Sequence, residues 1–153
     1  MNTSDHSQRS SASELVDAAT HARQHRYVRE AHETELIEDY VEMIGDLIAA
    51  NGEARAVDLA QRMDVAHATV AKMVRRLSDA GLVTSQPYRS IFLTDAGARM
   101  AARARERHAV VLRFLHALGV DDINARQDAE GIEHHVCDQT LALMQQFTNE
   151  RER

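Results

Sequence analysis

VDLAQRMDVAHATVAKMVRRLSDAGLVTSQPYRSIFLTDAG, residues 57–97, decides the fold. Apolar spacing predicts a short helix over Val57 to Met63, a turn at Asp64-Val65-Ala66, and a helix from about His67 to Ala80 closed by Gly81. Two short helices joined by a tight turn form a helix-turn-helix. Two β-type runs follow, Leu82 to Thr84 and Ser90 to Thr94, separated by Gln86-Pro87-Tyr88-Arg89, and they read as a hairpin. A hairpin directly after the second of these helices makes the unit a winged helix-turn-helix.

On the N-terminal side, Leu36, Ile37, Tyr40, Val41, Ile44, Leu47 and Ile48 recur at helical spacing, so Glu33 to Ala50 is an amphipathic helix stopped by Asn51-Gly52. Met1 to Ser13 is polar and Ser-rich, a composition expected to stay disordered, and Glu14 to His32 is compatible with a polar, loosely docked helix. On the C-terminal side, Thr94-Asp95-Ala96-Gly97 opens a long helix to about Leu118 ended by Gly119, with further helices around Asp122–His135 and Asp138–Thr148. The expected fold is mainly α: a polar, partly disordered extension (1–32), a winged helix-turn-helix with a small β wing (33–98), and an all-helical part (99–153).

The 153 residues are 44% hydrophobic, enough for an ordinary core in one domain or two small ones. The single Cys excludes an intrachain disulfide. No apolar run is long enough for a bilayer and the opening residues lack a secretory core, so a cytoplasmic location with no membrane partner is expected. The net charge of −6 hides an uneven distribution. Residues 55–113 carry 11 Lys/Arg against 5 Asp/Glu, whereas residues 1–54 carry 4 against 11 and residues 114–153 carry 3 against 8. A cationic segment around a helix-turn-helix points to nucleic acid. In the second helix Val70, Met73, Val74 and Leu77 form the inward stripe. His67 and Thr69, near its N-terminus, are then the expected base-reading residues, with Lys72, Arg75, Arg76 and the wing's Arg89 on phosphates.

A second signal lies in Glu130-Gly131-Ile132-Glu133-His134-His135. On a helix Glu130, Glu133 and His134 converge and His135 points elsewhere. Carboxylates crowded beside an imidazole repel one another unless protonated or sharing a cation, so the run reads as part of a metal site. Asp39 and Glu42 repeat the i, i+3 spacing in the first helix, and His108 sits on the long helix after the wing. Periodicity alone does not bring these three helices together.

EDYVEMI at 38–44, VAKMVRRL at 70–77, FLTDAG at 92–97, RERH at 105–108, FLHALGV at 114–120 and DAEGIEHHV at 128–136 together resemble the diphtheria-toxin-repressor family, specifically its manganese-responsive branch. The resemblance covers about residues 33–149. It implies a non-enzymatic, cytoplasmic homodimer that binds Mn²⁺, two ions per subunit and no organic cofactor, and then a palindromic operator, chiefly to repress manganese-uptake genes. It implies the ligands Asp39, Glu42, His108, Glu130, Glu133 and His134, with Asp39 and His108 serving the first ion and His134 the second. Iron-responsive members carry Met and Cys where this chain has Asp39 and Glu130. Four carboxylates and two imidazoles make a hard, oxygen-rich set suited to Mn²⁺. The family often has Ser and Pro where this chain reads Ala66-His67-Ala68-Thr69.

Two rival classes remain at this level: a binuclear hydrolase, for which no separate acid, nucleophile or oxyanion donor is evident, and a winged-helix regulator of another metal or an organic ligand. Cys137 would share the face of His134 only if that helix continued, and Asp138-Gln139-Thr140 looks like a fresh helix start. His116 and His67 are not expected ligands. The dimer surface is expected among Val111, Leu112, Phe114, Leu115, Leu118, Leu141, Leu143, Met144 and Phe147, residues that can alternatively fill a monomer core, and an SH3-like domain is not expected.

Overall fold

The computed structural model describes residues 15–85 and 89–152. Helix α1 spans Ala18–Asn51, α2 Ala56–Arg62 and α3 His67–Asp79. Strands β1 (Val83–Thr84) and β2 (Phe92–Leu93) form the wing, followed by α4 (Asp95–Leu118), α5 (Asp122–His135) and α6 (Asp138–Arg151). The wing's turn, Gln86-Pro87-Tyr88, lies outside the described residues, as do Met1 to Ser13.

Sequence spacing places a boundary at Glu33, but α1 runs through it as one 34-residue helix. The cause is compositional: Ala18 to Glu38 contains neither Gly nor Pro and is rich in Ala, Arg and Glu. Its start is fixed by Asp17, whose side chain accepts from the Thr20 amide at 3.0 Å. Its end is Gly52, whose φ of 81° is left-handed and suits a residue without a Cβ.

Two apolar cores are strung along α4. The first gathers Tyr40, Val41, Ile44 and Leu47 of α1 with Leu59, Val70, Met73, Leu77, Leu82, Val83, Ile91 and Ala101. The second gathers Val111 and Leu115 of α4 with Ala125 and Ala129 of α5 and, partly buried, Ile132, Leu141 and Met144. Helix α4 therefore belongs to both, and α1 packs against α4 and α5 as well as its own helix-turn-helix. Of the apolar residues expected at a dimer surface, Val111 and Leu115 are buried in this second core, Leu112, Phe114, Leu141 and Met144 pack partly buried against it, and Leu118 and Leu143 remain exposed, joined by Ile123.

The helix-turn-helix turn is tight because Asp64 adopts a φ of 52°, a conformation Asp tolerates better than most side chains. The wing pairs antiparallel, Val83 with Leu93 and Thr84 with Phe92. A bridge that spacing did not reveal joins Ala54 to Ile91, whose amide donates to Ala54 at 2.8 Å. Thr94 then locks the wing to α4: its hydroxyl donates to the Gly81 carbonyl at 2.7 Å and accepts from the Gly97 amide at 3.2 Å. Gly97 is demanded by close approach, since a Cβ there would lie 2.0 Å from the Leu82 carbonyl oxygen.

Candidate metal centre

The three acidic and imidazole-bearing stretches meet where α1, α4 and α5 cross. Helix α5 buries Glu133 completely (2% exposed) and turns His134 inward with a side chain 2% exposed, as their one-face spacing requires. Glu130, a turn earlier, stays at the rim with its side chain 71% exposed.

Glu133 stands between two imidazoles. Its Oε2 is 2.6 Å from His108 Nδ1, and its Oε1 is 3.3 Å from His134 Nε2. His108 Nδ1 also lies 3.8 Å from Glu130, and His108, Glu130 and Glu133 offer donor atoms all within 4.8 Å of one another. On the α1 side, His134 Nδ1 pairs with Glu38 at 2.7 Å, and Asp39 lies 3.0 Å from Nε2. That last contact is close but poorly directed for a hydrogen bond, so His134 Nε2 is a buried ring nitrogen without a hydrogen-bond partner among the described residues. A buried nitrogen with no hydrogen-bond partner, beside a carboxylate, is what a cation-binding imidazole looks like before it is coordinated.

The electrostatics agree. Burial, reinforced by the charges of Glu42, Glu130 and Asp39 and opposed by that of His134, pushes the Glu133 carboxyl up to about 8. Burial alone would lower His134, but the carboxylates of Asp39, Glu38 and Glu133 outweigh it and raise the imidazole to about 10. Burial and the neighbouring Asp46 and Glu130 raise Glu42, against the charges of Arg105 and His108. Glu133 and His134 thus both hold their protons into the neutral range.

All six residues expected as ligands therefore share one electrostatic neighbourhood, with Asp39 set beside His134. Two supporting residues escaped the sequence reading. Glu38 holds the His134 ring through Nδ1, leaving Nε2 turned toward Asp39 and Glu133. Arg107 of RERH, its side chain only 12% exposed, donates from Nε and Nη2 to the Glu133 carbonyl at 3.1 and 2.9 Å and from Nη2 to the Val136 carbonyl. It satisfies carbonyls that the end of α5 leaves free, and also pairs with Asp138 at 2.9 Å. Helix α5 does stop at His135; Cys137 is the extended cap of α6, with its sulfur 3.3 Å from the Thr140 hydroxyl.

On the helix-turn-helix and wing, His67, Thr69, Lys72, Arg75, Arg76 and Arg89 are all exposed. His67, Arg75 and Arg89 line an open groove between α3 and the wing, joined by Arg55, which the sequence reading did not single out. The cap of α3 is Ala66, which offers no side-chain acceptor; Thr69 lies inside the helix and does not cap it.

Residues 32–91 match the family described as iron dependent repressor, N-terminal DNA binding domain, and residues 94–153 match iron dependent repressor, metal binding and dimerisation domain. The transcriptional regulator MntR of Escherichia coli O6:H1 (strain CFT073) is 51% identical over 135 residues, 88% of this chain and 87% of that protein. The chain belongs to the iron-dependent repressor family, among the MntR transcriptional regulators. MntR of Salmonella typhimurium (strain LT2) is 50% identical over 137 residues, covering 90% of this chain and 87% of that one. Among solved structures, a manganese-dependent transcriptional repressor complexed with manganese aligns with a TM-score of 0.66 and 28% identity, over 74% of this chain and 52% of that one. The manganese regulator SloR aligns with a TM-score of 0.65 and 25% identity, over 74% and 53%. The chain thus spans about half the length of these solved proteins, although it spans most of the MntR relatives. Among the described residues, no helix is long and apolar enough to cross a membrane.

Proposed function

We propose that this MntR-family regulator is a manganese-responsive, non-catalytic repressor acting as a homodimer on palindromic operators, chiefly of manganese-uptake genes in the cytoplasm. Asp39, Glu42, His108, Glu130, Glu133 and His134 hold the metal, two ions per subunit. The observation that carries this reading is Glu133, buried with its two oxygens facing different imidazoles while His134 Nε2 lacks a hydrogen-bond partner. When bound, divalent manganese supplies the positive charge that lets these carboxylates share one pocket.

Everything else falls to the chain's own groups. Asp39 and Glu42 project from α1, which carries the core of the helix-turn-helix; His108 projects from α4, and the remaining three from α5. Glu38 and Arg107 orient His134 and the end of α5. With its acids ionised and shared, the pocket fastens α1 to α4 and α5 and thereby restricts where α3 can stand. In a dimer this sets the separation of two recognition helices, which two half-sites one helical turn apart require. His67 and Thr69 face base edges, and Lys72, Arg75, Arg76 and Arg89 pair with phosphates. Four carboxylates and two imidazoles, with no thiolate, suit Mn²⁺; because Mn²⁺ lies at the weak end of the affinity order, geometry and supply provide the selectivity.

The test is to select a duplex from a random-sequence pool with the full chain and Mn²⁺, then titrate binding of that duplex against Mn²⁺. The reading expects a palindromic selected sequence and metal-dependent affinity. It also expects tighter Mn²⁺ binding when that duplex is present, by reciprocity. Operator affinity indifferent to Mn²⁺ refutes it.

A further inference from the structure

His135, which helical spacing turns away from the centre just described, does not face open solvent. It meets α1 one turn before Glu38 and Asp39. His135 Nε2 lies 3.1 Å from Glu35 Oε2, and His32 Nδ1 lies 3.1 Å from the same oxygen. The His32 and His135 rings meet edge to face with centroids 4.6 Å apart. Donor atoms of all three side chains lie within 4.8 Å of one another. The Tyr27 hydroxyl reaches the His135 carbonyl at 3.4 Å, a further tie between the outer part of α1 and the end of α5.

We propose that His32, Glu35 and His135 form a separate divalent-cation site, of a nitrogen-rich class suited to Zn²⁺, that pins the N-terminal half of α1 to the C-terminal end of α5. Two imidazoles and one carboxylate are a donor set for Zn²⁺ with a remaining position for water. Their spacing fits: ligands about 2.0–2.1 Å from a tetrahedral ion stand roughly 3.3 Å apart, close to both measured N···O separations. The pairing of two rings on one carboxylate oxygen also leaves a single focus at which an ion can replace the protons between them. His32 and Glu35 are an i, i+3 pair on one helix face, so only one further helix is needed to complete the set. Glu35 is already held below the usual carboxylate range: burial raises it, but hydrogen bonds from His135 and His32 and the charges of His134 and His135 prevail. It is therefore ready as an anionic ligand.

The site does not rest on the manganese reading. Its donors are a different set with a different chemical preference, and three of the four residues that tie the two helices here, Tyr27, His32 and Glu35, lie in or beside the part of α1 that the first core does not reach. An ion there would order a stretch of helix whose residues 22–30 are otherwise exposed.

The experiment is equilibrium dialysis of Zn²⁺ against the full chain, His32→Ala and Glu35→Gln, with amide hydrogen exchange over residues 18–32 followed in parallel. His32 is exposed, so its replacement leaves both cores intact, and Glu35→Gln keeps the side chain's shape. The expected result is one Zn²⁺ per chain beyond those taken up by the six-ligand centre, with the affinity of this additional ion falling roughly tenfold or more in both variants, and exchange over residues 18–32 slowed by Zn²⁺ only in the unsubstituted chain. Equal Zn²⁺ affinity and stoichiometry in all three proteins overturn the proposal, as does Zn²⁺ binding that leaves exchange over 18–32 unchanged. Either failure can occur with Mn²⁺-dependent operator binding intact, and loss of that binding leaves these Zn²⁺ measurements standing, so the two readings fail separately.

Discussion

Mn²⁺ binding should expel protons, and the pocket says how many. With Glu133 titrating at about 8 and His134 at about 10, at pH 7 the first is about nine-tenths protonated and the second essentially fully so. A cation that takes both as ligands must displace close to two protons per chain, and the release falls to about one by pH 8.5, where Glu133 is mostly ionised. Each released proton multiplies apparent affinity by about ten per pH unit, so Mn²⁺ should bind roughly a hundredfold tighter at pH 7 than at pH 6. The sign for the metal-free fold is opposite. Both groups are raised, so the folded chain binds more protons than the unfolded one between about 4.5 and 8 for Glu133 and between about 6.5 and 10 for His134. Their contribution to stability therefore declines as pH rises through those windows. Titration calorimetry in buffers of different ionisation enthalpy counts the protons directly. Release of clearly less than one proton at pH 7, or affinity flat from pH 6 to 7, would refute the reasoning, because Glu133 and His134 would then not be both the protonated groups and the ligands.

Replacing Arg107 with Ala strands the carbonyls of Glu133 and Val136 at the end of α5; thermal unfolding should show a loss of about 1–3 kcal/mol, and calorimetry a weaker Mn²⁺ affinity. Ala66→Ser supplies the missing cap of α3 and should add about 1 kcal/mol in denaturant unfolding, with the Mn²⁺ affinity unmoved. Gly97→Ala drives a Cβ against the Leu82 carbonyl, so the wing must part from α4; a loss of about 1–3 kcal/mol or more is expected, visible as a lowered midpoint in urea.

Much of this architecture was legible because the signals were local. The helix-turn-helix, the wing and the breaks at Gly52, Gly81 and Gly119 depend on apolar period and on residues that tolerate left-handed backbone, and apart from the start of α1 the helices fall within a few residues of their expected limits. The break expected at Glu33 was illegible for the complementary reason: the apolar stripe fades there, but helix propensity does not, and hydrogen bonding follows the latter. The Ala54–Ile91 bridge had no signal, since a single pairing needs no alternation. Within the candidate metal centre, motif resemblance named the six acidic and imidazole groups, and one-face spacing explained the inward placement of Glu133 and His134. Glu38 and Arg107 act across helices, on His134 Nδ1 and on backbone carbonyls, and such contacts have no period. Helical spacing turned His135 away from that centre, as observed, but a wheel drawn on α5 alone cannot show that α1 extends far enough to bring His32 and Glu35 against its outer face. How the apolar residues of the last third divide between core and surface was not legible, because a sequence does not show how much of them α4, α5 and α6 bury among themselves.

The most direct test of the central claim is anomalous scattering at the manganese edge from crystals of the Mn²⁺-loaded chain. The account predicts anomalous density within ligand distance of Glu133, bordered by Asp39 of α1, His108 of α4 and His134 of α5. Manganese bound in an ordered crystal with no density in that pocket would contradict it.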